Sequence, residues 1–120
     1  MLVEKSRGSV TIKSINYELF KRTLAEIKQI LFAECPEVQK IILFGSFARG
    51  DYTPESDIDL CVIVNRSSLP FLQRSDPYLP FFQDIPLDVN LLVYTQEEIT
   101  RMMNEGNELI KEILHTGIEL

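Results

Sequence analysis

The fold is decided by residues 41–64, which read IILFGSFARGDYTPESDIDLCVIV. Two apolar runs enclose a polar segment that contains two glycines and a proline, and short apolar runs between turn signals are typical of buried strands. We expect one strand over Lys40–Phe44, ended by Gly45, and a second strand from Asp57 to Val64. The stretch therefore predicts two buried strands joined by a turn-rich connection.

A helix is expected before these strands. Apolar residues recur there at steps of four, three and four: Phe20, Leu24, Ile27 and Leu31. This spacing is typical of one face of a helix. We expect Asn16 to cap its first turn, and the helix to stop at Cys35-Pro36 because the residue before a proline avoids the helical region.

After residue 64 the pattern is irregular until a third strand, which we expect over about Pro86 to Tyr94. Thr95 and Glu98 have the spacing of a capping box and predict the start of another helix. The stretch Asn104–Asn107 is expected to interrupt that helix before a last helical piece over Glu108–His115. Three strands with helices at both ends indicate a single α/β or α+β domain over residues 1–120.

The sequence of residues 1–13 does not decide their structure. They could contain a short strand around Val10–Ile12 or form a loose end.

Composition excludes several classes of protein. The formal net charge is −6, and binding to nucleic acid normally needs a basic surface that neutralises phosphates, so no direct nucleic-acid partner is expected. No apolar run approaches the roughly 20 residues that span a bilayer. The N-terminus lacks the apolar region of a signal peptide, and Cys35 and Cys61 match no metal-ligand spacing. We expect both cysteines to be reduced and the protein to be cytoplasmic.

The turn after the first strand is a candidate phosphate site. A strand that ends in Gly45-Ser46 and turns into a helix offers free backbone N–H groups, and glycine lets a ligand approach the backbone closely. The Ser46 hydroxyl can add one donor. Such turns are common, so this motif alone is weak.

Two aspartates at the start of the second strand form a candidate metal site. Residues i and i+2 of a strand share one face, so Asp57 and Asp59 point one way while Ile58 points the other. Carboxylates about 6–7 Å apart repel each other, and a divalent cation reverses that cost. Oxygen-rich sites of this kind suit Mg²⁺. The alternative is that both acids lie on a solvated strand face.

Asp88 favours the metal site. It lies in the otherwise apolar stretch Ile85–Val93, where a lone aspartate is costly unless it is paired or bound to metal. If this strand neighbours the strand that begins at Asp57, three carboxylates converge, as in two-metal sites for phosphoryl or nucleotidyl transfer. A structural role for Asp88, such as bonding a backbone amide, is the alternative.

These residues together resemble a known family. Gly45-Ser46, ten intervening residues and then Asp57-Ile58-Asp59 are similar to the signature of the DNA polymerase beta-type nucleotidyltransferases. The longer string GSFARGDYTPESDIDL is similar to their minimal members, the MNT proteins, and the resemblance covers roughly residues 15–118. It implies a mixed sheet packed with helices and the transfer of a nucleoside monophosphate, AMP from ATP in the first instance.

The resemblance also implies residue roles. Asp57 and Asp59 would bind two Mg²⁺ ions and the triphosphate, and Asp88 would complete the second metal site and help deprotonate the acceptor hydroxyl. Gly45 and Ser46 would hold the β- and γ-phosphates. Two roles remain possible for Arg49: a contact to the triphosphate, or an ion pair with Glu55 or Asp51.

The acceptor and partner are implied by the resemblance alone. Minimal members often pair with a helical HEPN-domain toxin and act as the antitoxin by adenylylating a tyrosine of that toxin, so we expect a homo- or hetero-oligomer. Two alternatives stay open: transfer to a small molecule such as an aminoglycoside, and a nucleotide-binding module that neutralises its partner without turnover. The segment from Leu69 to Phe82 is rich in aromatic residues and proline, and two roles remain possible for it. It could form a partner surface or a lid over the nucleotide, or it could be a loop whose side chains complete the core.

Overall fold

The computed structural model describes residues 1–7 and 10–120. Within them it has six strands and four α-helices, and two short 3-10 helices lie between β4 and β5. Their bounds are β1 Leu2–Arg7, β2 Val10–Ile15, α1 Tyr17–Glu34, β3 Val38–Phe44, α2 Ser46–Arg49, β4 Ile58–Val64, β5 Val89–Thr95, α3 Gln96–Asn104, α4 Glu108–Thr116 and β6 Ile118–Glu119.

The main sheet has four strands in the order β5-β4-β3-β6. β3 is antiparallel to both β4 and β6, whereas β4 and β5 are parallel, so the sheet is mixed as expected. The fourth strand was not predicted because β6 is only two residues long, too short for a period-2 pattern. β1 and β2 form a separate antiparallel pair, which extends the strand suggested around Val10–Ile12.

Helices cover both faces of this sheet because the strand residues alternate in direction. Leu60 and Val62 of β4 share one buried cluster with Phe20 and Leu24 of α1. Cys61 and Ile63 of the same strand face the other way, into a cluster that also contains Ile99, Ile110 and Ile113 of α3 and α4. Cys61 is fully buried, and burial raises its pKa to about 12, so its thiol stays protonated within the core.

The predicted helix ends are present. The Asn16 side chain accepts a hydrogen bond from the Leu19 N–H at 3.1 Å, and Cys35 ends α1. Thr95 and Glu98 form a complete capping box at the start of α3. The expected interruption separates α3 from α4, and Asn107 caps α4 by accepting from the Ile110 N–H at 3.0 Å.

The third strand begins later than predicted, at Val89 rather than about Pro86. The apolar residues ahead of it serve a different purpose, since Ile85 packs in the core cluster on the α1 side of the sheet. Asp88 consequently lies just before the strand and is exposed, so the premise that it sits within a buried apolar strand is wrong.

The segment between β4 and β5 divides its aromatic residues between two environments. Tyr78 and Phe82 are buried and complete the core on the α1 side, and the Tyr78 hydroxyl donates to Glu37 Oε2 at 3.0 Å. Other apolar side chains of the segment remain exposed: Leu69, Phe71, Leu72 and Leu79. The core-completing role is thus present for two residues, and a lid or partner surface stays a prediction for the others. In the described part of the chain no helix has the length and apolarity needed to cross a membrane.

The capping box generates a prediction about pH. Partial burial raises the pKa of Glu98, but the bonds from Arg74 at 2.5 Å and from Thr95 outweigh it and leave the pKa below the ordinary 4.5. Because the folded pKa is the lower one, this contribution is present above pH 4.5 and is lost as the pH falls through the folded pKa. We expect Glu98→Gln to lower the free energy of unfolding by about 1–2 kcal/mol at pH 7. In denaturant unfolding from pH 7 to pH 3, the free energies of unfolding of the wild-type protein and Glu98→Gln should converge.

Glu97→Gln is the matched control, since Glu97 is an exposed acid in the same helical turn. A deficit for Glu98→Gln that stays constant down to pH 3 would contradict the ionic origin of this stabilisation.

Candidate active site

A cleft of about 390 Å³ opens where β3 ends and β4 begins. Five of the six residues singled out by the sequence pattern line it; Asp88 does not. The lining residues are Phe44, Gly45, Ser46, Arg49, Ser56, Asp57, Asp59 and Glu112.

The strand register places the two aspartates. Ile58 and Leu60 are fully buried on the α1 side of β4, so Asp57 and Asp59 point to the opposite side, as predicted. Asp59 lies between two neighbours, because the antiparallel pairing sets it opposite Phe44 of β3 and the parallel pairing sets it opposite Asn90 of β5.

Gly45 makes room for one of these carboxylates. Its φ of 72° lies in the left-handed region, and a Cβ built on it would stand 2.3 Å from Asp59 Oδ2. Any larger residue would therefore displace the carboxylate as well as strain the backbone. The Asp59 carboxylate lies directly against the backbone at which α2 begins.

An aromatic stack fixes the turn that contains Gly45 and Ser46. Phe47 of α2 is buried, and its ring lies 4.7 Å from Phe20 of α1 and 4.7 Å from Tyr52 of the following loop. Tyr17 stacks on both Phe20 and Tyr52, and its hydroxyl donates to the Phe47 carbonyl at 3.3 Å. Buried aromatic contacts of this kind hold a short helix that has few hydrogen bonds of its own.

The loop before Asp57 is closed by its own hydrogen bonds. The Thr53 N–H donates to Ser56 Oγ at 2.8 Å, and the Ser56 N–H donates to the Thr53 carbonyl at 3.0 Å. Ser46 differs: its hydroxyl makes no bond to another residue in the described part of the chain and borders the cleft, so it is free to donate to a ligand.

Asn90 contacts both aspartates and was not predicted. Its Nδ2 donates to Asp59 Oδ1 at 3.1 Å and to Asp57 Oδ2 at 3.4 Å. A signal was present in the sequence, since Asn90 is the only amide in an otherwise apolar strand, but its relevance depends on the β4–β5 register.

Asp88 lies close in register but apart from the pair. Its carbonyl accepts from the Ile58 N–H at 2.8 Å, which sets its backbone beside the start of β4. Across residues 1–7 and 10–120, no group of three or more His, Cys, Asp or Glu side chains is arranged to hold one metal ion. The structure therefore brings two of the three predicted carboxylates together and leaves Asp88 at the adjoining strand end.

Arg49 makes ion pairs on both sides of the cleft mouth. Its Nε lies 3.3 Å from Asp51 Oδ2, and its Nη1 lies 3.1 Å from Glu112 Oε1 of α4. Of the two partners considered from the sequence, Asp51 is the one found, and Glu112 was not foreseen because it is distant in sequence. The Arg49 side chain is 44% exposed, so these pairs are solvent-screened and contribute little to stability.

The residues of the cleft fit a magnesium ion. Asp57 and Asp59 supply hard oxygen donors within reach of one amide group, and the absence of a Cβ at Gly45 leaves room for the Asp59 carboxylate beside the turn. Mg²⁺ is commonly held by one or two carboxylates and takes its remaining ligands from water and substrate phosphates. No further protein carboxylate is required for such a site.

A family comparison decides the class of this protein. The model of the nucleotidyltransferase domain family matches residues 24–115, most of the chain. The chain belongs to that family. Membership confirms the nucleotidyltransferase class implied by the resemblance that Gly45-Ser46 and Asp57-Ile58-Asp59 carry.

Relatives of this nucleotidyltransferase agree with the assignment. A Methanocaldococcus jannaschii protein named "Putative protein adenylyltransferase" is 28% identical over 103 residues, which are 86% of this chain and 96% of the relative. A crystal structure of a toxin–antitoxin with AMP-PNP has a TM-score of 0.57 at 21% identity, over 88% of this chain and 72% of that one. A structure described as a "putative minimal nucleotidyltransferase" has a TM-score of 0.61 at 18% identity, over 94% of this chain and all of the other. These two structural likenesses establish the shared fold.

The contact between Gly45 and Asp59 generates a prediction with an internal control. Gly45 and Gly50 both have positive φ, but an added Cβ meets Asp59 at the first and nothing within 4 Å at the second. Gly50→Ala should cost about 1 kcal/mol of unfolding free energy through backbone strain alone. We expect Gly45→Ala to cost clearly more in denaturant unfolding, because the Asp59 carboxylate must also move. Equal losses for the two variants would show that Asp59 does not depend on the glycine.

Proposed function

We propose that this nucleotidyltransferase is a magnesium-dependent protein adenylyltransferase that transfers AMP from ATP to a hydroxyl of a partner protein. The observation that carries the proposal is the pair Asp57 and Asp59, which face a cleft bordered by the Gly45-Ser46 turn. Two anionic side chains beside free hydrogen-bond donors suit a ligand that brings both a cation and phosphates.

Different residues of the cleft would bind the metal ion and the phosphates. Asp57 and Asp59 would hold Mg²⁺, which when bound would neutralise the charge that develops on the triphosphate. The Ser46 hydroxyl and the backbone at Gly45 would orient the β- and γ-phosphates, and the aromatic stack behind Phe47 keeps that turn in place. Holding the reacting groups in one geometry removes much of the entropy cost of transfer.

The chemical step is a displacement at the α-phosphorus. The acceptor hydroxyl oxygen forms a bond to the α-phosphorus, the bond to the bridging oxygen breaks, and pyrophosphate leaves with that electron pair. The proton of the hydroxyl must go to a nearby base. We assign that role to Asp88, because its backbone adjoins the start of β4 and its side chain is exposed to an incoming partner.

The acceptor we propose is a tyrosine of a HEPN-domain toxin, with this chain as the antitoxin. Two findings support a protein acceptor: the name of the Methanocaldococcus jannaschii relative, and the fold shared with a toxin–antitoxin that carries AMP-PNP. The exposed apolar residues of the segment between β4 and β5, Leu69, Phe71, Leu72 and Leu79, offer a surface that a partner could cover.

Isotope transfer tests this reaction. The purified chain is incubated with Mg²⁺, ATP and a HEPN-domain toxin, with the label on the α- or the γ-phosphate in parallel reactions. Label should reach the toxin from α-labelled ATP only, because the bond that breaks lies between the α- and β-phosphates. We expect Asp57→Asn and Asp59→Asn to reduce transfer by roughly 100-fold or more, since each removes several kcal/mol of charge stabilisation.

Three other outcomes of the labelling experiment would contradict part of this proposal. Full transfer by both aspartate variants would refute the metal-site assignment. Neutralisation of the toxin by those variants without any transfer would identify a binding module that acts without turnover. Labelling of an aminoglycoside but not of protein would identify a small-molecule acceptor.

Arg49 generates a separate prediction. If Arg49 contacts the triphosphate, Arg49→Ala should raise the KM for ATP about tenfold, the cost of losing one hydrogen bond to a charged group. Glu112→Gln should lower that KM, because it releases the guanidinium from one of its two carboxylate partners. Steady-state kinetics on both variants makes the test. An unchanged KM for ATP in both variants would assign Arg49 to its ion pairs alone.

A further inference from the structure

Asn90 lies where the two candidate metal ligands meet. One amide nitrogen reaches both carboxylates, at 3.1 Å to Asp59 Oδ1 and 3.4 Å to Asp57 Oδ2. The register explains the contact, because Asn90 is paired with Asp59 across the parallel β4–β5 ladder. Asn90 is exposed, so its amide is not needed to satisfy a buried polar group of the core.

The chemistry of the Asn90 amide determines which of its two ends faces the aspartates. An amide has one end that donates two hydrogens and one that only accepts. The accepting oxygen would face two carboxylate oxygens if the group were turned over, so only the nitrogen can occupy this position favourably. Its two hydrogens then serve the two aspartates and offset part of their mutual repulsion.

The amide also leaves the oxygens of each carboxylate unequal. Oδ1 of Asp59 is held from the β5 side, whereas Oδ2 of the same group lies against Gly45, where an added Cβ would stand 2.3 Å away. Asp57 shows the same division, since only its Oδ2 accepts a bond in the described part of the chain. Each aspartate thus has one oxygen anchored by Asn90 and one free of it.

We infer that Asn90 is a positioning residue that aligns Asp57 and Asp59 for a divalent cation and favours Mg²⁺ over Ca²⁺. The inference rests on the proposed function. Ca²⁺ accepts carboxylates with both oxygens and six to eight ligands in flexible geometry, whereas Mg²⁺ requires near-octahedral geometry and keeps several waters. A carboxylate with one oxygen engaged by an amide offers the other alone, which suits the smaller ion. Without the amide, both side chains are free to rotate apart under their repulsion.

Metal binding tests the inference without any assay of transfer. Mn²⁺ binding to the purified chain is followed by electron paramagnetic resonance, with Mg²⁺ and Ca²⁺ added as competitors. The central variant is Asn90→Leu, which keeps the branched shape and the number of side-chain heavy atoms but has no donor. We expect its Mg²⁺ affinity to fall roughly tenfold, the effect of losing hydrogen bonds to charged groups. Its Ca²⁺ affinity should fall less, so the preference between the two ions should narrow.

Three further variants separate the possible explanations. Asn90→Gln keeps the amide one methylene further out and should recover part of the Mg²⁺ affinity. Asn65→Leu makes the same exchange at an exposed asparagine just beyond the other end of β4, and it should leave binding unchanged. Asp57→Asn should remove most of the binding. Melting temperatures without metal should be alike for the two leucine variants.

The outcomes distinguish this inference from the proposed function. Wild-type Mg²⁺ affinity in Asn90→Leu, with loss in Asp57→Asn, would overturn the role of Asn90 and leave the metal site in place. Equal weakening of Mg²⁺ and Ca²⁺ would overturn the selectivity. A wild-type chain that binds none of the three ions would overturn both proposals.

Discussion

The contact between the Asp59 carboxylate and the backbone of Gly45 is the constraint on which the site depends. It exists because β3 and β4 pair antiparallel with Phe44 opposite Asp59, so the last residue before the turn and the second aspartate share one level of the sheet. Only a residue without a Cβ can then occupy position 45, where φ is 72° and an added carbon would stand 2.3 Å from Oδ2. Glycine therefore meets two demands at once, one of backbone conformation and one of space beside a carboxylate.

The rest of the fold supports this contact from two directions. On the α1 side, Phe47 is stacked between Phe20 and Tyr52, which fixes the short helix after the turn. From β5, the Asn90 amide donates to both Asp57 and Asp59. At the mouth of the cleft, Arg49 pairs with Asp51 and with Glu112 of the last helix, in solvent-screened contacts that add little to stability. Two carboxylates that would repel each other in isolation are thus kept facing one space, at a cost that a bound cation would repay.

Part of the net charge of −6 is concentrated near the cleft. Four carboxylates surround the cleft mouth, those of Asp51, Asp57, Asp59 and Glu112, and one guanidinium lies among them. An anionic nucleotide would be repelled by such a surface unless it arrived with a divalent cation. Arg49 already has two partners, so any bond it makes to a phosphate must compete with them. Under the proposed function, nucleotide affinity would therefore depend on both the cation and the ion pairs of Arg49.

The sequence by itself determined the three main helices and three central strands, the family and the face of the two aspartates. The helical period gave α1, the cap signals at Asn16 and Thr95 gave helix starts, and the strand period of two placed Asp57 opposite in direction to Ile58, all of them local properties. Only the tertiary structure decided which strands are neighbours and where α4 packs, and with that the contacts of Asn90 and Glu112, which lie more than 30 residues from their partners. It also moved the start of β5 past Asp88, because burial of Ile85 depends on packing against α1 and not on local pattern. Gly117 indicates that the last helix ends before β6, but the pairing of this two-residue strand with β3 at the edge of the sheet follows only from the tertiary structure.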